Sequence, residues 1–514
     1  MKHMKKLIAV MLTFVMAFAM AATVFAADAT TKITVPDNGH TYEVYQIFKG
    51  KLAEVDNEKV LSDIEAGQNV VSGIKVEAAL DALKNAGTTD KEKLKVIKNY
   101  VNLNSTAYAT LGKVDDTKTL EATVEPGYYL IKDKNGTLSD KTDAYTTYIV
   151  KVAGIVAVKP KSNVPTSEKK VKDINDSKET TTTGWQDSAD YDIGDKVPFQ
   201  LKGTVADNFD DYTVYKYVFH DEESAGLTFD ATTVKVFVDG KEIPAEGNYS
   251  VETPAADGDT FDISFTNLKG ISKDVNGNDL TVTKDSVITV EYESELNTEA
   301  VIGSAGNPNE MHLEFSNNPN DEQGGETGKT PDDKVIVFTY KTVINKTDEN
   351  NEPLSGATFK LEKFVANKTE QDTGTDEYQG KTGTWVEKTS TTLNNGTTFS
   401  FKGLDDGYYR LTETEAPATY NKLKESIYFE ISAAHVTEAD NPTLTALSGN
   451  KVSGEISFTK ETEEDALSAD VVNKKGANLP ETGGMGTTIF YIVGAILIIG
   501  AGVLMITRRR MSDN

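Results

Sequence analysis

The residues able to do chemistry are few and poorly grouped for ordinary catalysis. Cysteine is absent, which removes disulfides, thiolate nucleophiles and sulfur ligands together. The five histidines, His3, His40, His220, His312 and His435, are scattered and form no His-Glu-x-x-His or other paired metal spacing. No Gly-x-Ser-x-Gly elbow presents a nucleophilic serine. The run Gly324-Gly325-Glu326-Thr327-Gly328-Lys329-Thr330 looks like a phosphate loop, but Gln323 stands where the first glycine belongs and Pro331-Asp332-Asp333 follows where a helix should start. It reads as a flexible linker. Asp274-Val275-Asn276-Gly277-Asn278-Asp279 offers oxygens to a calcium ion, yet it lacks helix-loop-helix spacing and sits between strands, so it reads as a hairpin turn. No metal and no other cofactor is expected.

The elements available to position reactive groups are mostly strands. A length of 514 residues allows three or four domains with sizeable cores. A first region, 27–161, mixes strands such as Thr41 to Phe48 with helical stretches near 74–103, where Thr89 to Glu92 fits a capping box before Leu94, Val96 and Ile97. A second, 162–334, alternates apolar residues at Val234/Val236/Val238, Phe261/Ile263/Phe265 and Ile288/Val290/Tyr292. A third, 335–475, does the same at Ala357/Phe359/Leu361, Phe399/Phe401 and Ile427/Phe429/Ile431. Turn-rich segments between strands predict a mainly β protein of antiparallel sandwiches. Domain boundaries are expected at Lys161 to Pro165 and within Asn317 to Asp333. Gly127-Tyr128-Tyr129 and Gly407-Tyr408-Tyr409 enter strands alike, which suggests related modules in regions one and three. The surface is acidic, 80 Asp plus Glu against 53 Lys plus Arg, and arginine occurs only as Arg410 and Arg508 to Arg510. That balance argues against nucleic acid as a partner.

Both termini carry an address. Residues 1–26 run from Lys2, Lys5 and Lys6 through the apolar stretch Leu7 to Met20 to Val24-Phe25-Ala26, the pattern of a secretory signal peptide. At the other end, in 476–514, Leu479-Pro480-Glu481-Thr482-Gly483 precedes Ile489 to Ile506, an apolar segment of membrane-span length, and the basic tail Arg508-Arg509-Arg510. In this order they resemble the sorting signal of sortase substrates. The resemblance implies transient membrane insertion, cleavage after Thr482 and transfer of Thr482 to an amine.

The third region contains Val343-Ile344-Asn345-Lys346-Thr347-Asp348, then Leu411-Thr412-Glu413-Thr414-Glu415-Ala416-Pro417, and closes with Val471-Val472-Asn473-Lys474. It resembles the collagen-adhesin B-type (CnaB) domain, in which an opening-strand lysine bonds to a closing-strand asparagine beside a glutamate. The resemblance implies Lys346, Asn473 and Glu413 for these roles. Strand parity agrees, because Ile344, Val471 and Leu411 share faces with them, so all three would point into the core. The second region resembles the middle domain of backbone pilins, which implies a bond from Lys169 to Asn309 with Asp221 as the acid and Lys170 as a neighbouring decoy. Met311, Leu313 and Phe315 share a face with Asn309, and Tyr217 and Phe219 with Asp221. Burial would favour a neutral, nucleophilic lysine and a protonated acid that polarises the amide. Each reaction would occur once and join first and last strands, so the chain is not expected to be an enzyme. In region one, Gln46 stands near the lysine position and Asp133 at the offset of Glu413, which leaves a bond there doubtful.

Over the mature chain the resemblance is to the LPXTG-anchored major (backbone) pilins of Gram-positive bacteria. It implies tandem Ig-like or CnaB-type sandwiches, the first with added helices, and a wall-anchored surface pilus supporting adhesion. Implied partners are pilin-specific and housekeeping sortases, further copies of the chain joined head to tail, accessory pilins and peptidoglycan. The motif Val156-Ala157-Val158-Lys159-Pro160-Lys161 has Lys159 where backbone pilins commonly have Tyr, and makes Lys161 the expected inter-subunit acceptor, with Lys159 its nearest competitor. A monomeric LPXTG-anchored adhesin would share everything except the need for an acceptor lysine.

Overall fold

The computed structural model describes residues 30–158 and 164–476, less 56–57, 87–89, 115–116, 139–140, 179–181, 322–323, 372–380 and 462–465, together with 23–24, 492–503 and 505. The expected signal peptide except 23–24, both Lys159 and Lys161, and the motif Leu479 to Gly483 lie outside the described residues. Two compact units divide the chain: Met1–Asn175, Thr180–Thr339 and Ala434–Thr445 form one, and Asp176–Glu179, Tyr340–Ala433 and Ala446–Asn514 the other. Among the described residues no helix is long and apolar enough to cross a membrane.

In the first region the long strand Thr41–Val55 organises an antiparallel sheet with Gly127–Asp133, Ala109–Val114 and Glu58–Ala66. It is buried on both faces, and the period-2 geometry of a strand sorts its residues accordingly. Tyr45 and Ile47 pack with Ala79, Leu83 and Ile97 of the helices Val76–Lys84 and Asp90–Ile97. Tyr42 and Val44 pack with Ile33, Val35 and Val124 from a small second sheet, in which Lys32–Thr34 pairs with Ile155–Ala157 and Glu121–Thr123.

The second sandwich has one sheet ordered Thr182–Gln186, Ser167–Ile174, Lys196–Thr204, Val287–Leu296, Leu227–Val238, Lys241–Ile243. The facing sheet runs Ser188–Asp190, Asp333–Phe338, Asn307–Ser316, Tyr217–Glu223, Phe261–Phe265, Ser250–Glu252. Phe199, Tyr217, Phe219, Phe261, Val290 and Leu313 fill the space between them. The boundary expected at 334 falls inside Asp333–Phe338, which pairs antiparallel with Asn307 to Met311 and places Val335 and Val337 in the core. The glycine-rich run read as a linker is also part of this domain, since Thr327–Lys329 pairs with Glu314 to Ser316. The glycine-rich run has no strand pattern of its own and is held by the strand 11–15 residues before it, whereas Val335-Ile336-Val337-Phe338 is an apolar run that the expected boundary cut off from its strand. The turn reading of Asp274 holds: its carboxylate accepts the N–H groups of Asn276 and Asn278, each at 2.9 Å.

The third sandwich sets Ser390–Leu393, Thr398–Leu404, Tyr340–Asp348, Ala466–Asn473 and Phe458–Glu461 in one sheet. The other holds Thr382–Lys388, Thr358–Gln371, Gly407–Glu415, Ile427–His435 and Leu444–Ser453. Its opening and closing strands, Tyr340–Asp348 and Ala466–Asn473, are parallel neighbours with Lys346 opposite Val471. The two Gly-Tyr-Tyr strands match in detail, because Tyr129 and Tyr409 are both buried and each hydroxyl donates at 2.8 Å to the carbonyl four residues back, of Glu125 and Asp405.

Candidate crosslinking site

In the second sandwich Lys169 comes from Ser167–Ile174 in one sheet, while Asp221 and Asn309 come from adjacent strands of the facing sheet. All three are fully buried. Register places Asp221 opposite Met311 and Glu223 opposite Asn309, so the acid and the amide project from one patch of that sheet. The Lys169 amine donates to Asp221 Oδ2 and, at 3.0 Å, to the hydroxyl of Tyr292. That hydroxyl donates to Asp221 Oδ2 at 3.1 Å and accepts from Asn309 Nδ2 at 3.0 Å. Its single proton and two lone pairs are thereby used in full. Asn309 Nδ2 also donates to Glu223 Oε1 at 3.1 Å, and the same oxygen accepts from Ser294 Oγ at 2.5 Å. Phe199 stacks on Tyr292 and Phe261 meets it edge-on, with centroids 5.3 and 5.0 Å away, walling the cluster in aromatic rings.

Burial dominates the electrostatics. It pulls the Lys169 amine below its ordinary value against the attraction of Asp221, and pushes Asp221 up against the attraction of Lys169. Both shifts favour the uncharged pair of amine and carboxylic acid. Burial, with the nearby Asp221 charge, also pushes Glu223 up to about 7.

In the third sandwich Lys346, Glu413 and Asn473 are buried together, at 0, 2 and 1 % exposure. Here lysine and asparagine share a sheet and the acid faces them from the other. The Lys346 amine donates to the backbone carbonyls of Thr347 at 2.8 Å and Val471 at 3.0 Å. Burial lowers it to about 8 despite the opposing charge of Glu413. Glu413 Oε2 accepts from Asn473 Nδ2 at 3.0 Å and from the Leu423 N–H at 2.7 Å, while Asn473 Nδ2 also donates to the Asn421 carbonyl at 2.5 Å. Glu413 Oε1 and Asn473 Oδ1 are both buried acceptors without a hydrogen bond.

Strand parity had pointed all six residues inward, and they are inward. It had not singled out Glu223, two residues beyond Asp221 on the same face, or Tyr292, which reads as one more apolar core position. The expectation that both crosslinks join first and last strands needs correction. In the second sandwich Asn309 is followed by a further paired strand, Asp333–Phe338. Lys170 projects to the other side and pairs with Asp187 at 2.5 Å. In the first region Asp133 has His40 at 2.8 Å and Thr146 at 2.6 Å for partners, and Gln46 donates to Tyr129 and Glu125 at 3.1 Å. His40, held between Asp133 and Asp143, is raised to about 9.

Comparison with known proteins agrees with this architecture. Residues 193–319 match the Gram-positive pilin backbone subunit 2, Cna-B-like domain, residues 341–443 a prealbumin-like fold domain, and residues 471–513 the LPXTG cell wall anchor motif. The trypsin-resistant surface T6 protein of Streptococcus pyogenes serotype M6 is 28 % identical over 412 residues, 68 % of this chain and 70 % of that protein. Among solved structures, the T6 backbone pilin of serotype M6 Streptococcus pyogenes, described as modular with three domains, superposes with a TM-score of 0.51 at 16 % identity, covering 88 % of this chain and 100 % of that one. Tandem Cna-B-like sandwiches ahead of a wall-anchor motif define a cell-wall-anchored surface protein. With a pilin-backbone domain, a wall-anchor motif and this likeness to a Gram-positive backbone pilin, the chain is a backbone subunit of a cell-wall-anchored surface pilus.

Proposed function

We propose that the subunit serves as a pilus backbone by making two internal covalent bonds and one external one. Inside, the Lys346 amine attacks Cγ of Asn473 and the Lys169 amine attacks Cγ of Asn309. In each case the new C–N bond replaces the bond to Nδ2, which leaves with protons as ammonia. Glu413 and Asp221 act as the acids, hydrogen-bonding the side-chain amide or the amine and stabilising charge on the carbonyl oxygen in the tetrahedral intermediate. The observation that carries this reading is the Tyr292 hydroxyl, 3.0 Å from both the Lys169 amine and the Asn309 amide nitrogen in a dry core. Each reaction is a single event without turnover, so the protein is not an enzyme in this reading.

Outside, a pilin-specific sortase cleaves after Thr482 and passes its acyl group to Lys161 of another copy, and a housekeeping sortase passes the last subunit to peptidoglycan. Head-to-tail joining is a heterologous contact that does not close, so it propagates a filament. Accessory pilins would join the same polymer. The reading is tested by intact mass of the exported chain, which should fall below the calculated value by one ammonia for each of two bonds. A mass equal to that of the open chain excludes it.

A further inference from the structure

The outer face of the sheet that carries Asp221 holds a second cluster. His220 lies directly opposite Asp262 across the paired strands Tyr217–Glu223 and Phe261–Phe265, and the turn before the second strand adds Asp257 and Asp259. The four ligand atoms lie within 4.8 Å of one another. From His220 Nδ1 the carboxylate oxygens of Asp262, Asp257 and Asp259 are 3.0, 3.1 and 3.5 Å away. Yet Nδ1 makes a hydrogen bond to none of them. Asp262 is only 9 % exposed, and its Oδ1 is likewise buried without a hydrogen bond. A nitrogen facing three oxygens at such distances, with its ring aimed at none, is arranged around a shared point rather than around a proton.

We propose that His220, Asp257, Asp259 and Asp262 form a binding site for a divalent transition-metal ion, with Zn2+ the best fit. Ligands about 2.1 Å from a tetrahedral zinc stand about 3.4 Å apart, close to the three distances from His220 Nδ1. One imidazole with three carboxylates suits zinc better than calcium, which takes oxygen ligands. The tautomer is prepared. Glu314 Oε2 faces His220 Nε2 at 3.4 Å and is itself held by Lys216 at 2.8 Å, so Nε2 carries the proton and Nδ1 presents its lone pair to the cluster. Asp257 is about half exposed, which leaves a route for an ion to enter after export. The site escapes spacing rules because its ligands come from one strand, its neighbour and a turn. It departs from the expectation that the chain holds no metal. A bound ion would clamp the 253–260 turn to the strand whose inner face carries Asp221.

The test is isothermal titration of the full chain with zinc chloride after dialysis against chelator, with calcium chloride as comparison. One zinc per chain is expected, undisplaced by equimolar calcium. Binding should be lost in Asp262→Asn and in the exposed Asp257→Asn, weakened about tenfold or more in Glu314→Gln, and unchanged in Asp274→Asn. A natively folded wild-type chain that retains no zinc would overturn the assignment, as would one-to-one binding that survives Asp257→Asn and Asp262→Asn, or a site that takes calcium in preference.

Discussion

Glu413→Gln separates the acid chemistry of the third sandwich from its packing. The amide keeps an oxygen to accept from the Leu423 N–H and from Asn473 Nδ2, the two hydrogen bonds Glu413 Oε2 makes at 2.7 and 3.0 Å. Its NH2 group would stand where Glu413 Oε1 now faces an environment without a donor. Shape and hydrogen bonding are conserved, and only the transferable proton is removed. Without the bond the domain loses a crosslink that closes a loop of about 130 residues, which by the chain-entropy treatment contributes about 5 kcal/mol. For a domain of this size that corresponds to a fall in Tm on the order of 15–25 °C. Lys346, left as a free amine, keeps its hydrogen bonds to Thr347 and Val471, but its burial adds a further loss that is greatest below about pH 8. Calorimetry of the exported chain, with peptide mapping of the same sample, measures both quantities. A Lys346–Asn473 peptide in the variant would refute the role of Glu413, and an unchanged Tm in its absence would refute the stability argument.

Asp221→Asn should abolish the Lys169–Asn309 bond, whereas Glu223→Gln should slow it but leave crosslinked peptide at completion, because Glu223 positions the amide while Asp221 holds the amine; the reverse pattern moves the acid to Glu223. In Asn473→Ala the buried Lys346 remains unbonded, with its value lowered to about 8 from an ordinary 10.5. Between those pH values the unfolded chain holds the extra proton, so stability should rise with pH across that window, by up to about 1.4 kcal/mol per unit. Urea melts at pH 7 to 10, taken relative to Lys346→Met/Asn473→Ala, read this directly, and a flat difference would contradict the burial of a free amine. Lys161→Ala should erase the high-mass ladder of boiled wall extracts while leaving wall-attached monomer; an undiminished ladder excludes Lys161, and loss in Lys159→Ala alone transfers the role.

Much of this was legible in the sequence because a strand has a period of two. Lys346 beside Ile344, Asn473 beside Val471 and Asp221 beside Phe219 could be assigned to an inner face without knowing any partner strand. What parity cannot supply is pairing across the sheet. Glu223 shares the parity of Asp221, but its approach to Asn309 depends on the register of two strands about ninety residues apart. Tyr292 continues the alternation of Ile288 and Val290, and only the folded core reveals that its hydroxyl joins the lysine, acid and asparagine. The His220 cluster failed to register for the same reason, since its ligands are cross-strand neighbours. Pairing also overturned the linker reading of 324–330, because Thr327–Lys329 folds back on the end of the preceding strand, Glu314 to Ser316, despite its glycines.

The two proposed crosslinks would sit differently with respect to the chain's exit, and this bears on how each domain would carry tension. In the third sandwich Asn473 ends the closing strand, Ala466–Asn473, so among the described residues a bond from Lys346 would leave no paired strand of that sheet beyond it. In the second, Asp333–Phe338 follows the bonded position and is held to it by five residue pairs, Asn307 to Met311 against Asp333 to Val337. The Asp333 carboxylate adds a tie to the opening strand by accepting the Lys169 N–H at 2.7 Å. A Lys169–Asn309 bond would therefore shield the fold between those residues, while force leaving through Phe338 still crosses a noncovalent ladder. That ladder is short, but its strands are buried and Val335 and Val337 anchor it in the core. Resistance at this exit thus depends on packing and hydrogen bonds, whereas at the exit of the third sandwich it would depend on a covalent bond.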